Sequence, residues 1–143
     1  MPGYKVLIVD DEEDFTAALA KRMGARGLTV DTAVSGEDAL KKAKKADFDV
    51  IVLDLAMGGI DGIETLKRLK DKEPDLQIIL LTGHATIETG VEAMKLGAVD
   101  YLQKPAEFAD LLKKIEEAGA KRMLLVEQQR EEQIAEILKT KGW

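Results

Sequence analysis

Two short apolar runs, each stopped by aspartate, constrain this chain more than any other feature. Val6-Leu7-Ile8-Val9 runs into Asp10-Asp11, and Val50-Ile51-Val52-Leu53 runs into Asp54. A continuous run, rather than an alternating one, suits a strand covered on both faces in a parallel sheet. In open α/β sheets, ligands bind beyond the carboxyl ends of the strands. If the two strands are neighbours, three carboxylates share one small pocket. Like charges that close repel, so the cluster needs a cation or a proton. A hard divalent ion with oxygen ligands, most simply Mg²⁺, meets that need.

Strand and helix patterns alternate along the rest of the chain. Lys5 to Val9 is the expected first strand, followed by a helix over Glu13 to Ala25 with Phe15, Leu19 and Met23 on one face. Gly27 marks its end. Leu28 to Ala33 alternates apolar and polar residues, which predicts a half-exposed edge strand. Ser35, with Asp38 three residues on, predicts the N-cap of a helix reaching Lys45. Val50 to Leu53 is the third strand. The loop from Ala56 to Gly62 is rich in glycine, which favours turns. A helix over Ile63 to Asp71 stops before Pro74.

Gln77 to Leu81 is the fourth strand, Thr86 to Leu96 a helix with Gly97 at its C′ position, and Val99 to Leu102 a short fifth strand. A last helix starts near Glu107, and Gly119 is expected to interrupt it. Five strands alternating with helices predict an α/β fold with right-handed crossovers, a doubly wound parallel sheet. The flavodoxin-like strand order 2-1-3-4-5 places strands one and three side by side. The expected division is 1–119 for this unit and 120–143 for a C-terminal helical extension, tail or linker.

Composition narrows the function. The net charge is −6, and segment 120–143 holds five basic and four acidic residues, so the body carries −7. Phosphate contacts need clustered Lys and Arg, so direct nucleic-acid binding by this chain is not expected. Aromatics are only 4% of the residues, which removes a base-stacking platform. The absence of cysteine excludes disulfides, thiolate catalysis and Cys-based metal sites. No apolar run is long enough to span a membrane and no secretory signal pattern opens the sequence, so a cytoplasmic location is expected.

The ordered motifs resemble the receiver domain of two-component response regulators. They are Val9-Asp10-Asp11, Leu53-Asp54-Leu55, Met57 with Asp61-Gly62, Leu81-Thr82-Gly83, Gly97-Ala98-Val99-Asp100-Tyr101 and Lys104-Pro105. The similarity runs from about Tyr4 to Ala118. Each motif alone is weak, but all in order at successive strand ends are specific. The segment from Leu81 to Pro105 is most similar to receivers of transcriptional regulators.

The resemblance implies that Asp54 is the phosphoacceptor, receiving a phosphoryl group from a sensor histidine kinase or phosphotransfer protein. Carboxylate nucleophiles of this kind are known chemistry. It implies that Asp11 and Asp54 ligate Mg²⁺, with Asp10 acting directly or through water and the Ala56 carbonyl as a further ligand. Lys104 would pair with Asp54 at rest and with the phosphoryl group afterwards, and its bond to Pro105 would be cis. Thr82 and Tyr101 would form the switch. The face built from the fourth helix, fifth strand and last helix would then change, with Ile87, Val91, Lys95, Tyr101 and Phe108 as contacts. A homodimer through that face or through the C-terminal helix is a further expectation.

Receivers catalyse only their own phosphotransfer and dephosphorylation and are not classed as enzymes. Two departures from the family stand out: Gly58 where proline is usual, and Ala106-Glu107-Phe108 after Lys-Pro. His84, the only histidine, lies two residues past Thr82 and either shapes water access or is a solvated loop residue. Two other readings compete. A haloacid-dehalogenase-type phosphohydrolase needs a second aspartate two residues after its nucleophile, where this chain has Ala56. A phosphorylation-independent scaffold would not need the full set of acids with Thr82 and Lys104.

Overall fold

A computed structural model of the chain describes residues 3–57, 61–83 and 87–140. Gly58, His84 and Thr86 lie outside the described residues. The elements are β1 (Lys5–Val9), α1 (Glu13–Ala25), β2 (Thr29–Ala33), α2 (Gly36–Lys45), β3 (Val50–Leu53), α3 (Gly62–Lys72), β4 (Gln77–Thr82), α4 (Ile87–Lys95), β5 (Asp100–Gln103) and α5 (Phe108–Thr140). The strands form one parallel sheet in the order β2-β1-β3-β4-β5. This is the doubly wound, flavodoxin-like α/β fold that the apolar runs imply.

Burial follows from the patterning. β3 and β4 are buried along their whole length and β1 after its first residue, while the alternating β2 stays half exposed at the edge. Side chains on a strand alternate between faces. Leu7, Val9, Leu53, Ile78 and Leu80 therefore join Leu66 and Leu69 of α3 in one core layer. Val6, Ile8, Val50, Val52, Ile79 and Leu81 meet Leu19 and Met23 of α1 and Leu111 and Ile115 of α5 in the other. Ser35 accepts the Asp38 amide at 3.1 Å, and Asp61 accepts the Glu64 amide at 2.8 Å, capping α2 and α3. Among the described residues, no helix is long and apolar enough to cross a membrane.

Two expectations about α5 are corrected. Gly119 does not interrupt the helix, which continues unbroken to Thr140. A Cβ built on Gly119 would stand 2.6 Å from the Tyr4 ring, so glycine is there to let that ring lie against the helix. The close packing offsets the roughly 1 kcal/mol that glycine costs a helix. Phe108 does not join the face of α4 and β5. Its ring packs toward α1, with the Arg22 guanidinium 4.1 Å above it.

One turn after Gly119, Arg122 is the last residue of α5 that is buried. Its Nη1 donates to the Phe48 carbonyl at 2.6 Å, and Nη2 lies 4.0 Å from Glu73. Phe48 precedes β3 and Glu73 follows α3, so Arg122 ties α5 to the end of the sheet opposite Asp54. Beyond it the helix is solvent-exposed apart from the half-buried Leu125.

Candidate functional site

The parallel ladders continue one residue past the strands and fix the reactive side chains. The Asp10 amide donates to the Ala33 carbonyl of β2 at 3.0 Å. The Asp54 amide donates to Val9 of β1 at 3.0 Å, and the Lys104 amide to Thr82 of β4 at 3.1 Å. Each residue is thus placed by a neighbouring strand, at the carboxyl edge where the strands stop. The site is pre-set by sheet register rather than by loop flexibility.

Asp10 and Asp54 are arranged alike. Asp10 Oδ1 accepts the Glu12 amide at 3.0 Å, and Asp54 Oδ1 accepts the Ala56 amide at 3.2 Å. Both are two-residue side-chain turns. Each Oδ2 faces Lys104 Nζ, at 2.6 Å from Asp10 and 3.8 Å from Asp54. Both carboxylates are almost wholly buried, at 2% and 3% exposure. Glu12 Oε1 lies 3.4 Å from the same ammonium, and the Phe15 ring centroid 4.4 Å from it. Burial works to lower the Lys104 pKa. The hydrogen bond to Asp10 and the charges of Asp10, Asp54 and Glu12 outweigh it, holding the group above the ordinary 10.5 of lysine.

The predicted acids are only partly brought together. One carboxylate oxygen from each of Asp10, Glu12 and Asp54 falls within 4.8 Å of the others. Asp11 is exposed and is not in that group. Glu12, which sequence reasoning did not single out, is the third member of that group. Glu12 holds the N-cap position of α1, yet its side chain makes no capping hydrogen bond. Phe15 was also missed, read only as a core residue of α1. Three hard oxygen donors around one lysine leave net negative charge, a set suited to a divalent cation such as Mg²⁺.

Thr82 is fully buried at the end of β4, and Tyr101 is half buried on β5. The Lys104-Pro105 bond is cis. Tyr101 lines an open groove of about 880 Å³ with Ile87, Val91, Met94 and Lys95 of α4. Four of the five residues named as surface contacts therefore share one face, without Phe108.

The response regulator receiver domain family matches residues 6–116. The chain is 39% identical over 115 residues to the transcriptional regulatory protein ZraR of Salmonella typhimurium, spanning 80% of this chain and 26% of that protein. It is 40% identical over 111 residues to the acid tolerance regulatory protein ActR of Sinorhizobium medicae, spanning 78% and 57%. The chain thus spans about a quarter to just over half of these relatives. A CheY-like receiver domain protein from Methanospirillum hungatei superposes with a TM-score of 0.82 at 27% identity, covering 85% of this chain and 98% of that one. NtrX from Brucella abortus gives 0.83 at 29% identity, covering 90% and 30%.

Proposed function

The chain belongs to the response regulator receiver domain family, and from that premise we propose that it is a phosphorylation switch with Asp54 as its acceptor. The observation that carries this reading is the pose of Asp54. It is buried at the sheet edge, with Oδ1 held by the Ala56 amide and Oδ2 turned toward Lys104.

In the proposed reaction, Oδ2 attacks phosphorus of a phosphohistidine on a sensor kinase or phosphotransfer protein. A P–O bond forms as the P–N bond breaks, and the leaving imidazole keeps the electron pair and is protonated from solvent. Lys104 shifts from Asp10 to a phosphoryl oxygen, a charge-assisted contact of about 2.7–2.9 Å. The Thr82 hydroxyl donates to another oxygen. Asp10, Asp11, Asp54 and the Ala56 carbonyl would hold Mg²⁺, with Glu12 as an added donor. When bound, Mg²⁺ neutralises the charge of the transferring phosphoryl group.

The movement of Thr82 opens room for Tyr101, which closes inward and reshapes the groove against α4. That groove is the proposed output surface and one candidate homodimer face. The chain does no steady-state chemistry on a separate substrate, so it is a signalling protein rather than an enzyme in the usual sense. A cytoplasmic location fits a kinase donor, and the acidic body favours a protein partner over nucleic acid.

Incubation with a small phosphodonor and Mg²⁺, read by intact mass, tests the proposal. One phosphoryl adduct is expected, absent in Asp54→Asn. No adduct on the unmodified chain, or an equal adduct on the variant, overturns it. Steady release of phosphate from added esters would instead point to a phosphohydrolase.

A further inference from the structure

Between α1 and the start of α5 lies a cavity of about 380 Å³, within the range of about 300–1,000 Å³ usual for small-molecule sites. It is separate from the groove beside α4. Leu19, Leu81 and Leu111, all buried, form its base. Phe15 and Phe108 line it, and so does Ala106, whose single methyl fills little of the space.

Each ring carries a cation. Lys104 Nζ lies 4.4 Å from the Phe15 centroid, and the Arg22 guanidinium lies 4.1 Å from that of Phe108. The two cations differ in what balances them. Lys104 faces Asp10, Glu12 and Asp54, so its charge is already balanced. Arg22 is exposed, and its side chain makes no ion pair or hydrogen bond among the described residues. Arg26, one turn on, lies 5.9 Å from the same Phe108 ring and has no carboxylate partner among those residues either. Like charges at this spacing on a helix repel. An anion beside them relieves the repulsion, and a guanidinium takes a carboxylate through two parallel hydrogen bonds.

We infer that the cavity binds a small aryl carboxylate, its aromatic body against Phe15 and Phe108 and its carboxylate on Arg22. Charge sets the orientation, because the three acids around Lys104 repel an anion at the other end. A neutral apolar molecule would fill the space but leave both arginines without a counter-charge. The two rings favour an aromatic body over an aliphatic one, through offset or edge-on contact. The site draws on no property of Asp54, so it stands or falls apart from the proposed function.

Naphthoate is the probe and the full chain is the target. The chain has three phenylalanines, Phe15, Phe48 and Phe108, so fluorophenylalanine labelling gives one fluorine resonance for each. Naphthoate should shift those of Phe15 and Phe108 saturably and leave that of Phe48, at the other end of the sheet, in place. By calorimetry, Arg22→Gln should bind naphthoate at least about tenfold more weakly, and the unmodified chain should disfavour the neutral naphthamide by a similar factor. Ala106→Leu fills the cavity and should abolish saturable binding while its circular dichroism stays native. Arg22→Gln, at an exposed position, decides the matter even where the Ala106 variant does not fold. No saturable shift up to millimolar naphthoate, or a shift of Phe48 alone, would overturn the inference. So would equal affinity for naphthamide, equal affinity in Arg22→Gln, or unchanged binding in folded Ala106→Leu.

Discussion

The ammonium of Lys104 lies nearer to Asp10 than to Asp54, and Glu12 and Phe15 hold it on the Asp10 side. Its raised pKa fixes the sign of its pH dependence. The stability it adds is complete below the unfolded value near 10.5 and is lost as pH rises through the folded value. Denaturation of the unmodified chain and of Lys104→Met should therefore differ by a constant margin at neutral pH. The margin should shrink only in strong alkali, and shrinkage between pH 6 and 9 would contradict this assignment. The buried acids carry a second prediction. Asp54→Asn removes one of two neighbouring buried charges and should stabilise the chain by up to about 1 kcal/mol in metal-free buffer. Melting curves with and without Mg²⁺ test this, because the advantage should narrow when the cation is present. Neither Glu12 nor Phe15 was legible as a site residue. One resembles a solvated acid and the other an ordinary core aromatic, and both acquire their roles from Lys104, which the fold alone brings beside them.

At the scale of elements, strands were easier to read than helix ends. Apolar runs such as Val50 to Leu53 have one simple home, between two helical layers. The ends slip because tertiary contacts decide them. The Leu28 amide donates to Met23 at 3.3 Å, which assigns Leu28 to the turn after α1 rather than to β2. Gly119 misled for the same reason, since a glycine inside a helical pattern looks like a break until the Tyr4 ring is placed against it. Gly119→Ala should then destabilise the chain by about 1 kcal/mol net, because overpacking against the ring exceeds the gain in helix propensity. Urea denaturation measures it, and a stabilised variant would refute the packing explanation. Arg122→Met leaves the Phe48 carbonyl without this buried donor and should cost about 1–3 kcal/mol on the same assay.

Across the whole molecule, the strand order gathers residues from β1, β3, β4 and the turn after β5 at one edge, so the site is a product of topology. The order of the motifs along the chain conveyed this much without coordinates. The direction of α5 was not legible, because it depends on where Arg122 meets Phe48 and Glu73. Removal of residues 123–143 should leave the body folded, with its urea midpoint nearly unchanged, because the removed side chains lie largely outside both core layers. A large loss of stability would show that the arm supports the body.

α5 begins at Phe108, four residues after Lys104, and leaves the body at Arg122. By rise per residue, it runs about 21 Å from Phe108 to Arg122 and about 27 Å from there to Thr140. Measured from Arg122, the outer limb of the helix is the longer. A displacement of about 1 Å at Phe108 becomes about 1.3 Å at the far tip, in the opposite direction. A rigid tilt of α5 about Arg122 would thus carry the tip at least as far as the end beside the reactive lysine.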